Sequence, residues 1–268
     1  MDRGLELRIS EDPEQLAKAA GEFLVEEAHK AVEARGRWTV ALSGGSTPER
    51  LYRYWGEPSV RDRMPWDKIH LFWGDERHVP PGHADSNYRM TRQALGAGVP
   101  IPEGNLHRIC AEHADAEVAA EQYEASLKTF FGERPFPRFD LMLMGLGPDG
   151  HTASLFPGGD AVLESQRWVV APYVPKLSTY RISLTVPVIN AAELVLFLVA
   201  GSAKAPAVRA VLQDSKDPVR LPAQAVSPAK GRFVWWLDRA AAQDLPPNAL
   251  EGDVAKAMAT TVFSLARE

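Results

Sequence analysis

Short apolar runs alternate along this chain with longer stretches of mixed character. Within residues 14–34, apolar side chains recur at Leu16, Ala20, Phe23, Leu24, Ala28 and Ala31, with polar residues between them, and this spacing predicts an amphipathic helix. The run Trp38–Leu42 then stops at Ser43-Gly44-Gly45-Ser46, the pattern of a strand followed by a turn. Pro48 suits the first turn of a helix over residues 49–55. The alternation continues with a strand at Ile69–Trp73, the polar loop GDERHVPPGHADSN and a helix over 88–95. Next come a helix over 115–130 and a strand over 139–144 that ends in GLGPDGHTASLFPGG. Strands are expected at 168–171, 181–186 and 194–200, and a helix over 203–212. The last strand, 233–237, carries Trp235 and Trp236 into the core, and a helix start follows at 238–243. Residues 251–266 have weak helical character.

Apolar strands separated by amphipathic helices imply an α/β fold. The expected form is an open, mostly parallel, Rossmann-like sheet with helices on both faces. No repeat, low-complexity stretch or long linker interrupts the pattern, so residues 1–268 are expected to form a single domain. The Pro-rich pieces at 134–137 and 245–248 are short enough to be loops. The longest apolar run, 194–201, is too short to cross a bilayer. The N-terminus, MDRGLELRISEDPEQ, lacks the apolar centre of a signal peptide. A cytoplasmic protein without a membrane partner is expected.

Composition changes this picture in two places. Thirty Lys and Arg against 35 Asp and Glu leave a formal charge of −5, which argues against a broad nucleic-acid surface but not against a small anionic ligand. The single cysteine, Cys110, excludes a disulfide framework and a Cys-based zinc site. In its setting HRICAE it has no activating pattern and is expected to be a small buried residue.

In an open parallel sheet, ligands bind beyond the C-terminal ends of the strands. Four loops qualify. In the first, Gly44 and Gly45 allow backbone N–H groups to converge, and Ser46 and Thr47 add hydroxyls at a helix start. That suits a phosphate, or simply a capped turn; no Gly-Lys-Ser/Thr of a P-loop follows. The second carries Asp75-Glu76-Arg77-His78, where Arg77 suits a carboxylate, a phosphate or a developing oxyanion, and a surface salt-bridge cluster is the plainer alternative. His78, His83 and Asp85 fit no common zinc spacing, so no metal is expected. The third loop matches G-x-G-x-x-G at Gly145, Gly147 and Gly150, but Pro157-Gly158-Gly159 interrupts the helix that a dinucleotide site requires. Its more telling feature is Asp149 two residues before His151, a general base beside a carboxylate able to orient it. The fourth loop places Lys204 in the first turn of a helix, an unfavourable position that an anion would relieve. Arg181, at the head of RISLTV, is a second candidate cation. No G-x-S-x-G nucleophile elbow is present.

The segments LSGGSTPERLY, FWGDERHVPPGHADSNYRM, GLGPDGHTASLFPG and LFLVAGSAKAPAV stand in the order and spacing of the 6-phosphogluconolactonases. The chain resembles that family from about Trp38 to Trp236. The resemblance implies the fold shared with glucosamine-6-phosphate deaminases and hydrolysis of 6-phospho-D-glucono-1,5-lactone in the pentose phosphate pathway. It implies His151 as the base that activates water, Asp149 as its orienting group and Arg77 at the oxyanion or sugar acid. Gly44, Gly45, Ser46 and Thr47, with Arg181 and Lys204, would hold the phosphate; Asp75, Asn87 and Arg89 would be further sugar or phosphate contacts. No cofactor is implied, and a monomer or weak homo-oligomer is expected.

Two rivals fare worse. The deaminase branch continues after Asp-Gly-His with Ile-Ala-Phe-Asn-Glu-Pro, whereas this chain has Thr152-Ala153-Ser154-Leu155-Phe156-Pro157. Its Asp-Glu-Tyr is Asp75-Glu76-Arg77 here. A non-catalytic sugar-phosphate-binding module would not need His151 and Asp149 together, and no DNA-binding domain is recognisable.

Overall fold

The computed structural model describes residues 5–246 and the backbone of residues 261–265. Its strands are β1 (Leu5–Ser10), β2 (Trp38–Leu42), β3 (Ile69–Trp73), β4 (Asp75–Arg77), β5 (Leu106–His107), β6 (Leu141–Met144), β7 (Val169–Val170), β8 (Tyr173–Val174), β9 (Thr179–Leu184), β10 (Leu194–Val199), β11 (Arg232–Asp238) and β12 (Thr261–Leu265). The helices are α1 (Pro13–Arg35), α2 (Ser46–Gly56), α3 (Pro58–Arg61), α4 (Asn87–Leu95), α5 (Ala116–Phe131), α6 (Val186–Asn190), α7 (Ala205–Gln213) and α8 (Arg239–Ala242).

Eight strands form the main sheet in the order β12-β1-β11-β10-β6-β2-β3-β5. All its pairings are parallel except that of β12 with β1. Every residue of β2, β6 and β10 is buried, which requires cover on both faces and explains why these strands are continuous apolar runs. Helices α1, α2 and α4 pack in succession, and α7 and α8 pack together, with α8 against β11 and β1. Trp235 of β11 stacks on Phe197 of β10, with ring centroids 4.2 Å apart. The chain leaves β2 toward β3 on one side and returns to β6 on the other, so the strand order reverses between β2 and β6. That reversal opens a crevice at their C-terminal ends. Leu42 lies opposite Trp73, and Phe197 opposite Met144, so the strand ends are nearly level and their loops meet.

A second, four-stranded antiparallel sheet stands over that end. It runs β4-β9-β7, with β8 also paired to β9. Gly74 joins the two sheets: its N–H donates to Leu42 O at 2.8 Å, and its carbonyl accepts from Leu184 N at 2.8 Å.

Several expectations need correction. The polar loop after β3 contains a strand, β4, because Asp75–Arg77 pairs with β9. The strands expected at 168–171 and 181–186 belong to the second sheet, not the parallel one. The first strand, Leu5–Ser10, is not among the expected elements, because charged residues break up its apolar positions. Residues 261–265 form a strand against β1 and not a helix; residues 251–260 and 266 lie outside the described residues. Cys110 is exposed: it follows the edge strand β5, and Ile109, 3% exposed, takes the inward position. Among the described residues, no helix is long and apolar enough to cross a membrane.

Candidate active site

The crevice at the reversal point is a cleft of about 420 Å³. Its first wall is the glycine loop after β2. Tyr52 of α2 is fully buried, and its hydroxyl accepts from the Ser43 N–H at 3.0 Å and donates to the Ser43 carbonyl at 2.8 Å. The helix thus pins the loop that precedes it. Gly44 allows a close approach, since a Cβ there would lie 2.0 Å from Asn87 Oδ1. Gly45 adopts φ +103°, a left-handed backbone that favours glycine. The N–H groups of Ser46 and Thr47 open α2 and have no partner within the helix. Gly44 and Gly45 line the cleft; the side chains of Ser46 and Thr47 do not.

The second wall is β4. Side chains alternate along a strand, so Asp75 and Arg77 face the cleft and Glu76 faces away. Glu76 is 2% exposed and accepts from the N–H groups of Arg77, Asn87 and Tyr88 and from Ser86 Oγ. Burial nevertheless pushes its pKa up. These bonds fix the start of α4, where Asn87 Nδ2 donates to Asp75 O at 2.9 Å. Ser154 Oγ donates to Asp75 Oδ2 at 2.6 Å. Arg77 donates to the carbonyl of Asp85. Arg89 lies on α4 with Nη1 on Gly82 O at 3.2 Å and does not line the cleft.

The third wall is the loop after β6, which holds itself closed. Thr152 Oγ1 donates to Gly145 O at 2.8 Å, and Gly147 N to His151 O at 2.8 Å. The glycine pattern that resembles a dinucleotide motif has a local cause. A Cβ on Gly147 would lie 2.0 Å from His151 Nδ1, and Gly150 adopts φ +81°. Here His151 Nδ1 meets Asp149 Oδ1 at 2.5 Å. Burial lowers the pKa of His151, and the bond to Asp149 opposes that shift only in part. Burial alone would raise the pKa of Asp149, but bonds from Lys176 and His151 outweigh it and hold the carboxyl well below its usual range. The Phe156 ring lies 4.3 Å from the imidazole.

Cations complete the cleft. Arg181 of β9 lies directly opposite Arg77 in the β4–β9 register. Burial and the charge of Arg77 lower the pKa of Arg181. Lys204 is the N-cap residue of α7, and its Nζ donates to Leu146 O at 2.8 Å. Burial lowers its pKa too. Two like charges placed face to face in a concave wall repel, and the carboxylates of Asp75, Asp85 and Glu76 act against that repulsion. His78 and His83 lead elsewhere: His78 Nε2 is 2.7 Å from His113 O, and His83 Nδ1 is 3.7 Å from Asp85 Oδ2. Among the described residues, no three His, Cys, Asp or Glu gather as metal ligands.

The structure therefore brings Gly44, Gly45, Asp75, Arg77, Asn87, Asp149, His151, Arg181 and Lys204 to one cleft and leaves the side chains of Ser46, Thr47 and Arg89 outside its lining. Sequence reasoning missed Ser154 and Lys176, which also line it. Ser154 carried a usable signal, three residues beyond His151 in the same loop. Lys176 carried none, because it arrives from a hairpin distant in sequence.

Comparison with known proteins agrees with this architecture. Residues 11–235 match the family described as glucosamine-6-phosphate isomerases/6-phosphogluconolactonase. A 6-phosphogluconolactonase from Synechocystis is 45% identical over 220 residues, which is 81% of this chain and 89% of the relative. The structure of 6-phosphogluconolactonase from Trypanosoma cruzi is similar with a TM-score of 0.81 at 30% identity, covering 91% of this chain and 98% of that one. A monomeric glucosamine-6-phosphate deaminase shares the fold, with a TM-score of 0.74 at 18% identity and coverage of 89% and 99%. With the match spanning the second sheet, most of the main sheet and all four loops of the cleft, the chain belongs to the glucosamine-6-phosphate isomerase/6-phosphogluconolactonase family.

Proposed function

We propose that this chain hydrolyses 6-phospho-D-glucono-1,5-lactone to 6-phosphogluconate, the lactone step of the oxidative pentose phosphate pathway. The observation that carries the reading is the 2.5 Å contact of His151 with Asp149, in the same cleft as the facing pair Arg77 and Arg181. A base and an anion site in one cleft suit a substrate that joins an ester to a phosphate.

Asp149, held as an anion, takes the Nδ1–H of His151 and leaves Nε2 as the base. Nε2 removes a proton from water while the water oxygen bonds to the lactone carbonyl carbon. The ring C–O bond then breaks, and the imidazolium returns the proton to the departing ring oxygen. Arg77 serves the oxyanion or the sugar acid. Arg181, Lys204 and the backbone at Gly44 and Gly45 hold the phosphate, with the helix start behind them. Asp75 and Asn87 contact the sugar. We also place the enzyme in the cytoplasm, as a monomer or weak homo-oligomer and as one domain; one continuous buried core supports the last point.

His151→Ala is expected to lower kcat/KM about a hundred- to ten-thousand-fold while calorimetric binding of 6-phosphogluconate survives. Lactone hydrolysis that stays at the wild-type rate would overturn the mechanism. Ammonia release from glucosamine 6-phosphate, assayed in parallel, would indicate a deaminase instead. The neutral imidazole is the active form, so activity should fall with decreasing pH. Its midpoint should lie below the usual histidine value of about 6.5 because burial lowers the pKa of His151.

A further inference from the structure

Lys176 reaches the His151–Asp149 pair from outside the main sheet. It sits at the tip of the β8–β9 hairpin, in the short turn Pro175–Leu177, which ends at Ser178 with φ +50°. Its ammonium contacts Asp149 Oδ2, while Oδ1 of the same carboxylate holds His151 Nδ1 at 2.5 Å. The ammonium also lies 4.7 Å from the centroid of Phe156, whose ring is 4.3 Å from the imidazole and tilted by 33°. Lys176, Asp149, His151 and Phe156 thus close a circuit of contacts. Three of the four come from the loop after β6, and Lys176 alone comes from the second sheet.

A carboxylate has two equivalent oxygens and can turn. A cation on one of them fixes where the other points. An exposed ion pair adds little stability by itself. Here the partner carboxylate is half-buried and already committed to a histidine, so the pair's value is orientation. The apolar ring at position 156 gives the ammonium a second seat.

We propose that Lys176 is a positioning residue for the His151–Asp149 pair, its ammonium clamping one oxygen of Asp149 so that the other is aimed at Nδ1. The proposal rests on the lactonase reading. It also gives the second sheet a part in orienting the base, since the hairpin carries the clamp.

The ammonium's charge and its clamp act on His151 with opposite signs. The charged groups acting on His151 are Asp149 from its own loop, Asp75 from β4 and Lys176 from the hairpin. Lys204 faces Asp149 from the start of α7. The two carboxylates favour the imidazolium, and Lys176 opposes it. Loss of the ammonium by its charge alone would move the titration of His151 to higher pH, whereas loss of the clamp also loosens the Asp149 bond, the larger of the two influences, and moves it to lower pH.

The test compares Lys176→Met, which keeps the stem near Phe156, with Lys176→Arg. For Lys176→Met, kcat should fall about tenfold with KM within about threefold, and the acid limb of the rate profile should shift downward; an upward shift with kcat kept would show that only the ammonium's charge reaches His151 and would overturn the clamp. Lys176→Arg should restore the wild-type limb. NMR titration of the His151 imidazole in both proteins reads the same shift without any substrate. A raised KM with an unmoved acid limb and an unmoved imidazole titration would make Lys176 a substrate contact and overturn the proposal. If wild-type protein fails to turn over the lactone, the lactonase reading fails, and the NMR titration still decides whether Lys176 acts on His151.

Discussion

In the main sheet, β2, β6 and β10 are buried at every position. In the second sheet, β4 reads Asp-Glu-Arg, and β9 passes from the exposed Tyr180 through Arg181 to the buried Ile182, Ser183 and Leu184. The first holds the fold by burying apolar surface on two faces. The second turns half of its polar side chains toward a cleft and is held partly by Glu76, a buried carboxylate that ties β4 to the start of α4. Yet the two contribute comparably to the site. His151, Asp149 and the glycine loop come from the main sheet's strand ends; Arg77, Arg181 and Lys176 come from the smaller one. A chain can thus place its scaffold in one sheet and much of its ligand recognition in another.

The largest effect that would sharpen this division is on stability. Trp235 is 1% exposed and stacks on Phe197 in the middle of the main sheet, away from the cleft lining. Trp235→Ala should cost about 3–5 kcal/mol and lower Tm by roughly 6–20 °C. The kcat of the protein that remains folded should stay within about twofold, since nothing in the cleft changes. A loss of kcat in the folded fraction as deep as that of His151→Ala would break the separation of scaffold from site.

The same division explains what could be read from the sequence. A strand buried on both faces is an unbroken apolar run, so WTVAL, IHLFW and LVLFLV announced themselves and located their loops. Asp149 and His151 were legible because they share a loop. β4 was hidden because a strand lining a polar cleft looks like a polar loop. The facing of Arg77 and Arg181 depends on a pairing register between segments about a hundred residues apart, and Lys176 depends on a hairpin tip folding over that cleft. Neither leaves a local pattern. Gly147 was visible, and its dinucleotide reading was excluded by Pro157-Gly158-Gly159, but its actual role was not legible. Its spacing resembled a cofactor motif, while its cause is a ring packed on the backbone two peptides from Asp149.

Gly147→Ala therefore tests the main sheet's share of the site. Its φ is not in the left-handed region, so the backbone can accept alanine. The new Cβ would lie 2.0 Å from His151 Nδ1, and the imidazole must move. Activity should fall about 10- to 100-fold, while stability falls by about 1–3 kcal/mol for the overpacked ring. Wild-type turnover would show that the ring position does not set the rate.

The smallest effect is the most discriminating for the second sheet. Arg77 and Arg181 stand directly opposite on β4 and β9, and the charge of Arg77 disfavours that of Arg181. With the cleft empty, Arg181→Met removes a like-charge contact and keeps much of the apolar stem, so the ligand-free protein should gain about 0.2–1 kcal/mol. The same substitution deletes a guanidinium from the proposed phosphate site, and calorimetry should show at least about tenfold weaker binding of 6-phosphogluconate. Stability and affinity then move in opposite directions, as expected where a site is strained to await an anion. If melting temperature and affinity fall together, Arg181 is a structural member of β9, and the second sheet resembles the first more closely than its polar sequence suggests.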